Sequence, residues 1–107
     1  MMYYDFEIGN KAYKLRLNTR NVVALERTLE CNPLSIFGDG KRIPTITEMV
    51  AVLHASLQQY HHGITLEGAY EIFDKYVEEN VATDFIKVIV EIYKVSGIIK
   101  EETDEKN

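Results

Sequence analysis

The chain has 107 residues, of which 46% are hydrophobic and 27% charged, with a formal net charge of -5. This length allows one domain with a modest core and excludes a catalytic domain joined to a separate cofactor domain. The acidic balance argues against DNA or RNA as partners, because nucleic-acid affinity comes mostly from Lys and Arg side chains that neutralise phosphates. We therefore expect one small globular domain that does not bind nucleic acid.

Three further features of the sequence bear on location. No apolar run approaches the roughly 18 residues of a membrane span. The start, MMYYDFEIGN, lacks the basic and apolar regions of a signal peptide. A single cysteine, Cys31, cannot form an internal disulfide. The sequence predicts a cytoplasmic protein that is not associated with a membrane.

The first predicted element is a β-hairpin over residues 3–17. Apolar and polar side chains alternate in YYDFEI and again in KAYKLRL, which is typical of half-buried strands. A two-residue turn at Gly9-Asn10, with the glycine in the left-handed conformation, places Phe6 opposite Tyr13 and Asp5 opposite Lys14. Tyr4 then lies opposite Leu15, so that apolar residues meet apolar ones and the acid meets the base.

Four helices are predicted after the hairpin, which makes the fold mainly α (α+β), a hairpin followed by a small bundle. Asn18 or Thr19 caps the first helix, Thr45 and Glu48 form a capping box at the second, and Thr65 caps the third. Gly63 is expected to end the second helix and Ser96-Gly97 the last. The predicted helices cover about 19–31, 46–62, 66–79 and 83–96, within a single domain over 1–99. The charged residues 100–107 have nothing to bury and are expected to be disordered.

The last helix has the most unusual composition, because its apolar residues leave only a narrow polar stripe. Such a helix either lies at the centre of the bundle or is covered by another chain. Both interpretations stay open from sequence, and Ile89, Ile92 and Val95 are the candidate partner-binding residues on this helix. The long loop over residues 32–44 provides a second candidate surface, since its apolar residues are Leu34, Ile36 and Phe37.

All three histidines lie in the stretch HASLQQYHH. His54 and His61 are seven residues apart on the predicted helix, roughly 10 Å along its axis, and His61 and His62 point about 100 degrees apart. One metal ion cannot be bound by all of them on one helix. We interpret His61 and His62 as residues of a helix end, where partly protonated imidazoles interact well with the helix dipole; a metal site shared between chains is the alternative.

No catalytic signature is present in the sequence. FGDGKRIPT resembles a phosphate-binding loop only in Gly40-Lys41, because the spacing to Gly38 is too short and Arg42 follows the lysine. Cys31 has no histidine near it in sequence. The sequence therefore predicts a protein that is not an enzyme and that has no catalytic residues, no metal and no cofactor.

Several motifs, taken in order, carry a family resemblance over about residues 7–98. They are KAYKLRLNTRNVVALE, NPLSIF, PTITEMVAVLHASLQQYHHGITLEGAYEIFDKYVEE and KVSGI. Their order and spacing resemble the tail assembly chaperones of long-tailed bacteriophages, in the version found in phages of Gram-positive hosts. Cys31-Asn32 departs from the glycine expected at that helix end.

The resemblance implies a non-enzymatic function. Members of that family bind the long, coiled-coil-rich tape measure protein, keep it soluble and help the tail tube protein polymerise around it. It also implies location in the host cytoplasm, absence from the mature virion and, in many phages, a longer frameshifted form. Homo-oligomerisation stays open, and the alternative function is that of a small cytoplasmic adaptor or regulatory protein-binding domain.

Overall fold

The structure, a computed structural model, describes residues 2–100 and begins with the predicted hairpin. Strands β1, Tyr4–Ile8, and β2, Lys11–Leu15, pair antiparallel in the predicted register, with Asp5 opposite Lys14. Gly9 has a φ of 59°, the left-handed conformation that the turn requires. The register prediction is confirmed, although the Lys14 Nζ lies over the ring of Tyr3, 5.0 Å from its centroid, rather than in an ion pair.

Helix α1 and the segment that follows it form the first half of the bundle. Helix α1, Thr19–Leu29, is capped by the Asn18 side chain, which accepts a hydrogen bond from the Asn21 backbone amide at 2.9 Å. It ends two residues earlier than predicted, because Glu30 adopts a left-handed conformation with φ 60°. A 3-10 helix over Pro33–Phe37 then forms within the stretch predicted as a loop.

Helix α2, Ile46–Leu57, has the predicted capping box at Thr45 and Glu48 but ends five residues before the predicted end at 62. The prediction that Gly63 ends this helix is therefore wrong. The Gln58 side-chain amide donates to the carbonyl oxygens of His54 and Ile64, both at 2.9 Å, and so closes a turn after Leu57.

The remaining helices follow the predicted order. Helix α3 spans Leu66–Glu79, as predicted, with Thr65 as its cap. A 3-10 turn over Ala82–Asp84 leads into helix α4, Phe85–Val95. The hairpin and four helices make the described chain 57% helical and 10% strand, which confirms the mainly α fold with an N-terminal hairpin. Of the predicted charged tail, residues 101–107 lie outside the described residues.

Helix α2 lies at the centre of this arrangement and contacts α1, α3, α4 and β2. Eight of its twelve residues are buried. The short segment after β2 connects two helix ends, since the Arg16 amide donates to the Ser56 carbonyl and the Leu17 amide donates to the Ser96 hydroxyl. Arg16 also donates to the Val95 carbonyl at 2.8 Å. Among the helices of residues 2–100, none is long and apolar enough to cross a membrane.

Candidate functional site

The apolar face of α4 that sequence analysis offered as a contact surface is part of the core. Ile89 and Ile92 are fully buried, and Val95 is buried at the end of the helix. Helix α2 and strand β1 pack against α4. A partner cannot reach these side chains while the domain is folded, so we correct the partner-surface interpretation for this face in favour of the core interpretation. The centre of the bundle, however, is α2.

The second set of predicted contact residues lies in the segment after α1, and its members differ in how far they are buried. Ile36 is buried in the core, Phe37 is half-buried with its ring 6.0 Å from that of Tyr93, and Leu34 is exposed. The Tyr93 hydroxyl donates to the Pro33 carbonyl oxygen at 3.0 Å, and burial raises the pKa of that hydroxyl. Of the three candidate contact residues in this segment, Leu34 is the exposed one.

A salt bridge between Arg42 and Glu48 holds the C-terminal end of this segment against α2. Arg42 donates to both carboxylate oxygens of Glu48, at 2.8 and 3.0 Å, and to the Ile36 carbonyl at 2.6 Å. The hydrogen bonds from Arg42 lower the pKa of the Glu48 carboxyl. Because Glu48 also closes the capping box with Thr45, one carboxylate both starts α2 and holds the segment against it.

The three histidines are separated in the structure. His54 is half-buried on α2, where burial lowers its pKa, and His62 is exposed. His61 lies in the turn after α2; its Nε2 accepts a hydrogen bond from the Lys14 amide at 3.0 Å, and its ring contacts that of Tyr13. Burial and the nearby Lys14 charge lower the pKa of His61. Within residues 2–100, no group of three or more His, Cys, Asp or Glu side chains is placed to hold a metal ion.

An open groove of about 850 Å³ lies between the hairpin turn, the turn after α2 and one side of α3. Its lining brings Tyr13 and His61 together with Lys11, Glu71 and Lys75. No serine or cysteine belongs to that lining, and the hydroxyl-bearing side chain next to the histidine is Tyr13, whose ring centroid lies 5.4 Å from that of His61. The arrangement can bind polar groups.

The outer face of α3 carries a different feature, a row of exposed apolar side chains. Leu66 and Tyr70 are each 45% exposed and Val77 is 39% exposed. Spacings of four and seven residues place the three on one face of the helix, and Phe73 continues that face into the core. Val81, just beyond the helix, is also exposed. We call Leu66, Tyr70 and Val77 the apolar row.

A second row runs beside it. Glu67, Glu71, Asp74 and Glu78 follow one another at helical spacing, and all four are exposed. We call these four residues the acidic row. Within residues 2–100 the ion pairs are Arg42 with Glu48 and Lys94 with Glu91, so no carboxylate of the acidic row has a cationic partner in the structure. The single basic residue of α3, Lys75, follows Glu71 by four residues, and both side chains line the groove.

Sequence analysis did not predict the apolar row as a surface, because Leu66, Tyr70 and Val77 share the helical periodicity of the core residues. The signal that could have identified it is the width of the apolar arc on α3. A helix on the surface of a small domain buries a stripe roughly 100 degrees wide. The apolar residues of α3 cover a wider arc, so that some of them must face outwards; they are Leu66, Ala69, Tyr70, Ile72, Phe73, Tyr76 and Val77.

Comparison with known proteins identifies a family for this sequence. The sequence profile of a family of unknown function (DUF6096) matches residues 4–106, nearly the whole chain. The protein belongs to this family. No curated protein and no solved structure matches it.

Proposed function

We propose that this protein is a non-enzymatic tail assembly chaperone of a long-tailed bacteriophage, which binds the tape measure protein and helps the tail tube protein polymerise. The apolar row of α3 is the observation that carries the binding part of this proposal. Side chains such as Leu66 and Tyr70 remain half exposed although the domain has a closed core of buried residues from every helix. A row of this kind suits transient contact with an amphipathic helical client.

The phage part of the proposal is supported by the motif order described above, over about residues 7–98. Two of those motifs have clear positions in the fold. The terminal Ser-Gly holds the end of α4 against the segment after β2 through the Ser96 hydroxyl. The Gly-Ile-Thr junction forms the turn between α2 and α3, with Thr65 as the cap of α3. The Gly-Ile-Thr junction therefore positions the helix that carries the apolar row, and the Ser-Gly motif positions α4.

Location follows from the same proposal. The chaperone acts in the cytoplasm of the host bacterium, where tape measure and tail tube proteins are made, and it is not retained in the mature virion. A small adaptor or regulatory domain that binds a folded partner is the alternative, and the same apolar row would serve it. The two functions differ in their client, which is an unassembled helical chain in the first case and a folded protein in the second.

Co-expression with the neighbouring tape measure protein tests the proposal. We expect the wild-type protein to raise the soluble fraction of the tape measure protein and to co-purify with it. A Leu66→Ser/Tyr70→Ser variant should stay folded, because both side chains are half exposed, but should lose this effect. A Val23→Ser variant on α1, where Val23 is likewise exposed, is the matched control and should behave as wild type.

Two outcomes would contradict the chaperone function. One is a tape measure protein that stays insoluble and does not co-purify with the wild-type protein. The other is a gene that does not lie between those for a tail tube protein and a very long coiled-coil-rich protein. Either result, together with a stable complex formed with a folded host or phage protein, would favour the adaptor alternative.

A further inference from the structure

The acidic row indicates which kind of partner can bind to α3. Its four carboxylates extend along α3 from Glu67 to Glu78, about 17 Å at roughly 1.5 Å per residue. Each follows an apolar residue directly in sequence, in the pairs Leu-Glu, Tyr-Glu, Phe-Asp and Val-Glu. Neighbouring residues are about 100 degrees apart around a helix, so the acidic row borders the apolar row on its solvent side.

Glu67 in the first turn and Glu71, four residues before Lys75, favour the helix, but the remaining charge pattern does not help the isolated domain. Like charges three or four residues apart on a helix repel each other, and a carboxylate in the last turn, such as Glu78, opposes the helix dipole. The last turn of α3 contains no basic residue. These repulsions destabilise the isolated helix, and they lie next to exposed apolar side chains. Such a combination is expected where a partner supplies positive charges.

We propose that α3 docks a basic amphipathic helix, whose apolar side chains pack on the apolar row and whose Lys or Arg side chains pair with the acidic row. Two packed helices lie roughly 8–10 Å apart, which brings Lys or Arg on the flank of the docked helix within reach of Glu67, Glu71, Asp74 and Glu78. The apolar row forms the centre of this interface and the acidic row its charged rim. As a description of the tape measure segment that is bound, the inference rests on the proposed function.

Charge also argues against a second copy of this chain as the occupant. Two α3 helices packed through their apolar rows would bring two acidic rows together, and the whole chain already carries a net charge of -5. Such contacts are unfavourable at close range in a desolvated interface. The occupant is therefore a helix of opposite charge rather than α3 of another copy.

A synthetic peptide tests the surface without the client. The probe is an alanine-rich helix of about 20 residues with Leu at helical spacing and a flanking row of Lys, long enough to be helical in water. The control peptide has Glu at every Lys position. We expect the full-length protein to bind the Lys peptide in a 1:1 complex by calorimetry, to bind it roughly tenfold more weakly in about 0.5 M NaCl, and not to bind the Glu peptide.

Variants of the protein test the acidic row directly. Glu71→Lys/Glu78→Lys should weaken binding of the Lys peptide roughly tenfold or more, because two attractions become repulsions. Glu7→Lys/Glu26→Lys makes the same change in net charge at exposed positions on β1 and α1, and it should alter binding by less than about twofold. Thermal melting of each variant, followed by circular dichroism, verifies that it is folded.

Three results would overturn the inference: no binding of the Lys peptide, equal weakening by both double variants, or self-association that Tyr70→Ser abolishes. An assay with the tape measure protein distinguishes a failure of this inference from a failure of the proposed function. If the wild type and Glu71→Lys/Glu78→Lys solubilise that protein equally well, the docking inference fails and the chaperone function stands. If the peptide behaves as expected and the tape measure protein is not solubilised, the chaperone function fails and the docking surface stands.

Discussion

Helices α3 and α4 show how differently two amphipathic helices of one small domain can be used. Helix α4 is the more apolar of the two, and six of its eleven residues are buried, including Ile89 and Ile92. Helix α3 has more charged residues along its length, yet it leaves Leu66, Tyr70 and Val77 exposed. The helix that sequence composition offered as a candidate contact surface is the one that the fold covers.

The neighbours of each helix explain the difference. Helix α4 is packed against α2, β1 and the 3-10 turn that precedes it, and Phe37 covers Tyr93 from the segment after α1. Helix α3 contacts α2 and β1, and Phe73 and Tyr76 pack on Phe85 of α4; these neighbours cover one side of α3. The composition of a helix therefore indicates how much apolar surface must be covered, whereas the arrangement of the other elements decides which part of it is covered.

The largest expected effect comes from placing a charge on each helix. Ile89→Asp and Ile92→Asp should each unfold the domain, because an unpaired carboxylate in the core costs at least about 3 kcal/mol. Val77→Asp on α3 should change the free energy of unfolding by only about 0.5 kcal/mol, since that side chain is already partly in water. Urea denaturation of the three variants measures the contrast. Unfolding by Val77→Asp, or a stable Ile89→Asp variant, would reverse the assignment of the two faces.

Two Tyr→Phe substitutions compare how much one tyrosine hydroxyl on each helix contributes to stability. Tyr93→Phe removes the buried hydrogen bond to the Pro33 carbonyl and should cost about 1 kcal/mol, which lowers the melting temperature by several degrees. Tyr70→Phe on the exposed face of α3 should leave the melting temperature unchanged within about 1 °C. Differential scanning calorimetry compares the two. Equal melting temperatures for the two variants would mean that the Tyr93 hydroxyl does not stabilise the segment after α1.

Sequence analysis predicted those features of the structure that depend on residues close together in the sequence. The hairpin register follows from Gly9-Asn10 and from alternation in the two strands, and the limits of α3 follow from Thr65 and its periodicity. The end of α2 was missed; the turn that follows it is closed by a hydrogen bond from the Gln58 side chain to the Ile64 carbonyl, which no local pattern indicates.

The candidate surface was harder to predict for a related reason. Periodicity identifies the apolar arc of a helix but does not show which part of that arc another element covers. Ile36 and Leu34 are two residues apart in one apolar stretch, yet the first is in the core and the second is exposed. Sequence alone could predict that an apolar surface exists, and only the packing could assign it to α3.

Acidification should affect the α3 side of the molecule before α4. His61 is in the turn that leads to α3, and its Nε2 can accept the Lys14 amide only while it is unprotonated. Its pKa in the folded state lies below the ordinary value of 6.5. The unfolded chain therefore binds more protons below pH 6.5, so stability is lost as the pH falls from 6.5 towards the folded-state pKa.

Hydrogen exchange and denaturation as a function of pH measure this effect. Exchange of the Lys14 amide and of the first turn of α3 should accelerate below pH 6.5 more than exchange in α4. A His61→Gln variant should lose part of the pH dependence of stability, and the part due to His54, whose pKa burial also lowers, should remain. If His61→Gln retains the full pH dependence of the wild type, His61 is not the group responsible.

The smallest expected effect lies in the last turns of the two helices, where the charges differ. Helix α4 has Lys94 in its last turn, paired with Glu91 at 3.4 Å, whereas the last turn of α3 has Glu78 and no basic residue. Glu78→Lys should therefore stabilise the domain by about 0.3–1 kcal/mol, and Lys94→Glu should destabilise it by a similar amount. Both changes are measured by thermal melting at low salt and should shrink as salt is added. If the acidic row binds a client, Glu78→Lys will make the domain more stable and its capture of a basic helix weaker. A purely structural role for Glu78 predicts instead that its replacement lowers stability, or that stability and capture change in the same direction.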